Sequence, residues 1–332
     1  MTSFSTAVRG AKADHDVVAG EPAPASPGRR SRRPRRPRRR RNGLAGLLFV
    51  LPALVFVFAF MVYPLLSSGY MSLTEYNFVY DASPRFIGFD NYVAALQEDR
   101  FITSLTNTFT FGLFYFVIVM VSGLTIALLL FPKLKMSAFH RSAVFVPLVV
   151  PLSLAALIFL WILQPNYGLL NHLLGRVLGA ESLTRAWLSD GTTAMAAIIV
   201  LALWASIGFV TILFLAGLQS ISPDVLEAAE MDGARGLKKV FHIILPNLGE
   251  TYVLTGTWAI IHALKVFVEP MVMTDGGPGT STLVLYQHVY ITAFTYFDMG
   301  YASAMGYILG LIIMVLVVAN FFIGKRKRED AA

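Results

Sequence analysis

The sequence predicts an all-α integral membrane protein with six transmembrane helices and one long amphipathic loop between the fourth and fifth. Three observations carry that reading: the composition, six long apolar runs, and the distribution of Lys and Arg between them. The 332 residues are 56% hydrophobic and 14% charged, with a mean hydropathy of +0.63. Soluble domains sit near 45–50% apolar and about 25% charged. This excludes a disordered chain, a collagen-like fibre and most soluble enzymes. With no Cys, disulfides, thiolate metal sites and a catalytic thiol are also excluded.

Residues 1–42 come first and hold most of the charge. They carry 12 Lys and Arg against 3 Asp and Glu, whereas 43–332 carry 15 against 17. The pI near 9.6 therefore belongs to a tail, and the body is close to neutral. Residues 1–28 are rich in Ala, Pro, Gly and Ser without an apolar period, the composition of a disordered segment. Residues 29–41, RRSRRPRRPRRRR, repel one another and extend. The apolar run that follows is too long for a secretory signal. The tail is expected to be a cytoplasmic anchor at anionic headgroups, with no nucleic-acid partner.

A membrane-crossing helix needs about 20 predominantly apolar residues. Six segments qualify: 44–66, 104–131, 142–163, 194–216, 251–273 and 301–324. Pro52, Pro64, Pro147 and Pro151 interrupt them, which membrane helices tolerate better than soluble ones. The predicted organisation is a basic tail 1–42, a six-span body 43–324 and a short tail 325–332. With the N-terminus inside, the inner segments carry 12 Lys and Arg in 1–42, 3 in 132–141, 3 in 217–250 and 4 in 325–332. The outer segments 67–103, 164–193 and 274–300 carry 2, 2 and 0. This asymmetry places both termini in the cytoplasm of a bacterial-type cell membrane. Tyr286, Tyr290, Phe294, Tyr296 and Phe297 suit an interfacial aromatic belt or a docking surface.

The inner loop 217–250 is not a polar linker. Ser222 is a good N-cap and Pro223 suits the first helical position, so a helix is expected from Pro223 to about Met231. Asp232-Gly233 signals a turn, and Gly233 permits a positive φ. A second amphipathic stretch follows, with Leu237, Val240, Phe241 and Ile244 apolar, until Pro246 interrupts it. Such a hairpin at the membrane surface can pass force from a cytosolic partner to the spans. Small Ala228 and Ala229 would seat it in a groove, and Glu227 and Asp232 would meet basic groups.

The run Glu227-Ala228-Ala229-x-x-Asp232-Gly233-Ala234, followed by Ile243-x-Leu245-Pro246, resembles the EAA signature of the membrane subunits of ATP-binding-cassette importers. Val240 stands where that signature usually has Phe. Residues 267–282, FVEPMVMTDGGPGTST, are similar to an element of the sugar-importer branch, the maltose-, lactose- and glycerol-3-phosphate-type permeases. So are Gly88-Phe89-Asp90-Asn91-Tyr92 and Gly300-Tyr301-Ala302-Ser303-Ala304. The resemblance covers about 44–324. It implies that Glu227, Ala228, Ala229, Asp232, Gly233 and Ala234 form a coupling helix docking on an ATPase. It further implies a second six-span permease, two cytoplasmic ATPase subunits and an extracytoplasmic solute-binding protein as partners.

No catalytic or metal-binding pattern is present. There is no G-x-x-x-x-G-K-[ST] phosphate loop, no H-E-x-x-H and no G-x-S-x-G. The chain is expected to be a pore subunit rather than an enzyme, binding no cofactor, with ATP and magnesium held by the partner ATPase. An ion-coupled secondary transporter, or an importer of a non-sugar solute such as glycerol-3-phosphate, is the alternative. In the fifth span Thr255, Trp258, His262, Lys265 and Glu269 recur at spacings of 3 and 4, one face of a helix. That stripe is either a structural arrangement, with Lys265 and Glu269 paired at the membrane edge, or the solute path, with Trp258 stacking on a sugar ring.

Overall fold

A computed structural model describes residues 43–131 and 137–329. The basic tail 1–42, part of the inner segment 132–141 and the last residues of 325–332 lie outside the described residues. The chain falls into two compact units, Met1–Val55 and Phe56–Ala332. What is described of the first is the apolar beginning of α1 (Gly43–Val57), which runs through Pro52 without breaking.

The second unit is mostly helical. A π turn at Phe58–Val62 leads into α2 (Tyr63–Met71). A two-stranded hairpin follows, β1 (Thr74–Glu75) antiparallel to β2 (Arg85–Phe86), with Thr74 opposite Phe86 and Glu75 opposite Arg85. Then come α3 (Asp90–Gln97), α4 (Asp99–Leu130), α5 (Ser137–Val149), α6 (Leu152–Ile162), the short α7 (Leu169–His172) and α8 (Gly191–Gln219). Asp190 caps α8, accepting from Thr192 N and Thr193 N, both at 3.1 Å. Next are α9 (Pro223–Met231), α10 (Leu237–Lys239), a π turn at Val240–Ile244, α11 (Leu245–Asn247), α12 (Gly249–Leu264), α13 (Val268–Met273), α14 (Leu285–Phe294) and α15 (Met299–Glu329).

Five stretches are long and apolar enough to cross a membrane: Leu48–Met71, Asp99–Leu130, Gly191–Gln219, Gly249–Met273 and Met299–Gly324. The expected third span, 142–163, is not one straight helix. α5 and α6 meet at a bend of 104°. The cause is local: Pro151 has no N–H to give, and its ring displaces the preceding residue from helical geometry. Pro64 and Pro246 behave differently, because each follows a π turn and stands at the start of a new helix. The wider turn accommodates the ring, so the stretch expected to stop at Pro246 continues to Asn247.

The core forms where α4, α8 and α12 cross. Phe111, Tyr115, Val119, Val210, Phe214, Ala259 and Ala263 are buried together there. Close approach depends on small residues, as expected where lipid supplies no hydrophobic drive between helices. A side chain at Gly123 would overlap Val210, and one at Gly217 would overlap Thr251. A smaller cluster of Ala95, Phe101, Leu264, Leu285, Met305 and Leu309 joins α3, α4, α12, α14 and α15.

The segments before α3 and before α15 are sewn together. Phe78 N donates to Phe297 O at 2.9 Å, and Met299 N to Tyr76 O at 2.9 Å. Asn77 Nδ2 donates to Tyr296 O at 3.0 Å. Nearby, buried His288 lies with Nε2 3.9 Å from Glu98 Oε1, and Tyr301 donates to Glu98 Oε2 at 2.5 Å.

Candidate functional site: a helical hairpin and an aromatic column

The hairpin after α8 is built from its sequence in a legible way. α9 starts at Pro223, as its fixed φ favours, and ends with a complete C-terminal capping motif. Gly233, at φ +80°, donates to Glu230 O at 3.1 Å, and Ala234 N reaches back to Ala229 O at 2.9 Å. These are the two bonds of a Schellman cap, which needs a left-handed residue at its first position past the helix. Ala229 and Ala234, the pair such a cap brings together, are both buried.

Burial therefore divides the six sequence-predicted hairpin residues. Ala229 and Ala234 face inward, whereas Glu227, Ala228, Asp232 and Gly233 are exposed. No heavy atom comes within 4 Å of where a Gly233 side chain would begin. Met231 is 88% and Leu237 75% exposed beside them, with Phe241 and Val225 also open. The apolar stretch expected as one amphipathic face is thus split: Ile244 is buried, but Leu237 and Phe241 are not. The site offers carboxylates and apolar side chains around a glycine turn.

One feature of the hairpin escaped the sequence reading. Lys239 Nζ donates to Glu230 Oε1 at 2.7 Å, closing the hairpin across its turn. The hydrogen bond and charge of Lys239 hold the Glu230 carboxyl below its ordinary pKa. Their separation of nine residues matches no helical period, so only the turn geometry makes them neighbours.

The fifth-span stripe is not one continuous helical face. α12 ends at Leu264, and Phe267 adopts φ −151° before α13 begins. Lys265 stands exposed in this break, while Glu269 is buried on α13. The break rotates and shifts the two, and no ion pair between them occurs among the described residues. Thr255 is fully buried, and its Oγ1 has no hydrogen-bond partner among the described residues.

Trp258 and His262 do belong together. Their rings stack at 4.8 Å, 10° from parallel. Residues from two other helices extend the stack: Phe209 lies 4.7 Å from Trp258, and Tyr115 lies 5.6 Å from His262 and 5.5 Å from Phe111. Ser206 Oγ is 3.3 Å from His262 Nε2. The column spans α4, α8 and α12, so no single stretch of sequence displays it. Among the described residues, no group of His, Asp and Glu could hold a metal ion.

Comparison with known proteins decides the family. Residues 120–329 match the family described as binding-protein-dependent transport system inner membrane component. The chain belongs to that family. This permease is 35% identical over 285 residues to the probable ABC transporter permease protein YurN of Bacillus subtilis, covering 85% of this chain and 97% of that one. It is 32% identical over 284 residues to the sulfoquinovosyl glycerol transport system permease protein SmoG of Agrobacterium fabrum, covering 86% and 91%. The same fold occurs in a bacterial ABC transporter involved in the import of the acidic polysaccharide alginate. There the TM-score is 0.75 at 22% identity, over 86% of this chain and 96% of that one. The permease is therefore an inner-membrane pore component of an importer that works with a binding protein, and not an enzyme.

Proposed function

We propose that this permease carries carbohydrates, oligosaccharides foremost, through an ATP-driven importer, and that its α9 hairpin is the point at which ATP hydrolysis is felt. The observation that carries the coupling role is the capped turn at Gly233. It leaves Glu227, Ala228, Asp232 and Gly233 open to a partner, beside exposed Met231 and Leu237, on a rigid support. A cleft on an ATPase subunit fits such a convex hairpin, with basic side chains meeting Glu227 and Asp232.

In this reading α5 and α6 together make a bent sixth crossing, and both termini lie in the cytoplasm, as the Lys and Arg distribution favours. The partners are a second six-span permease, two ATPase subunits that hold ATP and magnesium, and an extracytoplasmic solute-binding protein. Closure of the ATPases draws the hairpins together and turns the spans toward the binding protein. Trp258 and His262 are half-buried, and with their faces stacked in the column they would offer the path ring edges rather than a flat surface. Named relatives such as the sulfoquinovosyl glycerol permease support a glycoside as solute.

The test is uptake of labelled oligosaccharides into vesicles containing this chain, its partner permease and ATPase. Uptake should require both ATP and the binding protein and should survive ionophores. Uptake without ATP that collapses with the ion gradient would establish a secondary carrier instead.

A further inference from the structure

The segment joining the first two spans is fixed at one end to the residues that follow the first span and at the other to the start of the second. Ile87 N and Gly88 N donate to Leu73 O at 2.9 and 3.1 Å. Asn91 Nδ2 donates to Ser72 O at 3.0 Å and to Thr74 O at 2.8 Å. Tyr92 Oη and Ser72 Oγ share a bond of 2.8 Å. All these acceptors follow directly on α2, which ends at Met71. At the other end, Glu98 alone separates α3 from α4. With 32 residues, α4 is roughly 48 Å long at 1.5 Å per residue, well beyond the ~30 Å hydrocarbon layer. Its polar first residues that are not buried, Asp99, Arg100 and Thr103, therefore stand among the headgroups, and α3 stands beside them.

At about 100° per residue, α3 presents three faces. Asn91 and Ala95 form a buried face, Ala95 packing in the cluster with Phe101 and Met305. Asp90, Ala94 and Gln97 form an exposed, mostly polar face. The third is apolar and just as open: Phe89 is 71%, Val93 52% and Leu96 62% exposed, with Phe86 just before them. Along the chain this face continues the exposed apolar surface of α2, which ends in Leu66 and Tyr70.

We propose that α3 is an interfacial anchor, with Phe86, Phe89, Val93 and Leu96 set among lipid acyl chains at the headgroup boundary. An amphipathic helix held in that plane buries its apolar face in the membrane. The segment from Glu75 to Arg100 carries Glu75, Asp81, Asp90, Glu98 and Asp99 against Arg85 and Arg100. Nothing in that balance attracts anionic headgroups, so the attachment is apolar and indifferent to lipid charge. It fixes the depth of the first two spans whatever solute is carried.

The Cys-free sequence makes the test direct. Single-Cys variants Val93→Cys, Leu96→Cys and, on the polar face, Gln97→Cys are labelled with an environment-sensitive fluorophore in the assembled transporter in vesicles. The unmodified chain in the same assembly is the blank. Probes at positions 93 and 96 should emit at shorter wavelength than the probe at 97. Lipids with a nitroxide at the top of the acyl chain should quench them more strongly, equally in neutral and anionic vesicles. Water-like emission at both positions overturns the proposal. So does short-wavelength emission that lipid nitroxides fail to quench, which would mean that a protein subunit covers this face, or quenching that appears only in anionic vesicles.

Discussion

Replacing Gly233 separates the strength of the hairpin from its role. The residue sits at φ +80°, where an L side chain costs roughly 1–2 kcal/mol, somewhat less for Asp, which tolerates the left-handed region. There is no steric addition, because no heavy atom lies within 4 Å of the new Cβ. Against the 5–15 kcal/mol of a typical fold, Gly233→Asp should leave the spans assembled and the thermal midpoint in detergent little changed. If the hairpin couples as proposed, the effect falls on docking, because the substitution places a further carboxylate beside Glu227 and Asp232 on the exposed surface that a closely fitted partner would approach. Transport and binding-protein-stimulated ATP hydrolysis should drop by much more than the about tenfold that 1.4 kcal/mol of strain could cause. Gly233→Ala, with the strain but not the charge or bulk, should retain an intermediate rate. Transport by Gly233→Asp at the wild-type rate would refute the docking argument. A collapse of the thermal midpoint would refute the claim that the turn is structurally tolerant.

A side chain at Gly300 would overlap the Thr74 carbonyl oxygen, a backbone atom that cannot swing aside. Gly300→Ala should therefore cost about 1–3 kcal/mol, as overpacking does, and open the join between Tyr76 and Met299. An unchanged thermal midpoint would contradict this. His288 sits outside the five apolar helices, near Glu98, Arg100 and Ser104, and burial and Arg100 lower its pKa despite Glu98. The unfolded chain thus takes up its proton first, so stability should fall as pH drops below the ordinary histidine value of 6.5. That slope should flatten in His288→Gln, and an identical profile in the variant would show another group responsible. In a Cys scan of α12, positions 258 and 262 should react with a water-soluble thiol reagent and be protected by solute, while buried position 255 should stay silent in this conformation. Reactivity at 255 without reactivity at 258 and 262 would place the path elsewhere.

The sequence by itself determined the membrane class and the approximate place of each apolar run, because crossing a bilayer demands length and apolarity that composition cannot hide. It also determined the hairpin turn. Pro223 opens a helix and Asp232-Gly233 closes it through interactions that span only a few residues, and the structure adds the two capping bonds. What depended on neighbours distant along the chain was decided only in three dimensions. The stripe from Thr255 to Glu269 keeps a helical spacing on paper, yet α12 ends at Leu264, which sends Lys265 outward and Glu269 inward. The partners of Trp258 and His262, namely Phe209, Ser206 and Tyr115, lie on helices remote in sequence, where no local period links them. The Glu230–Lys239 pair depends on the angle of a turn. Periodicity records which residues share a face only while the backbone stays regular, and the tertiary structure decides where it stops being so.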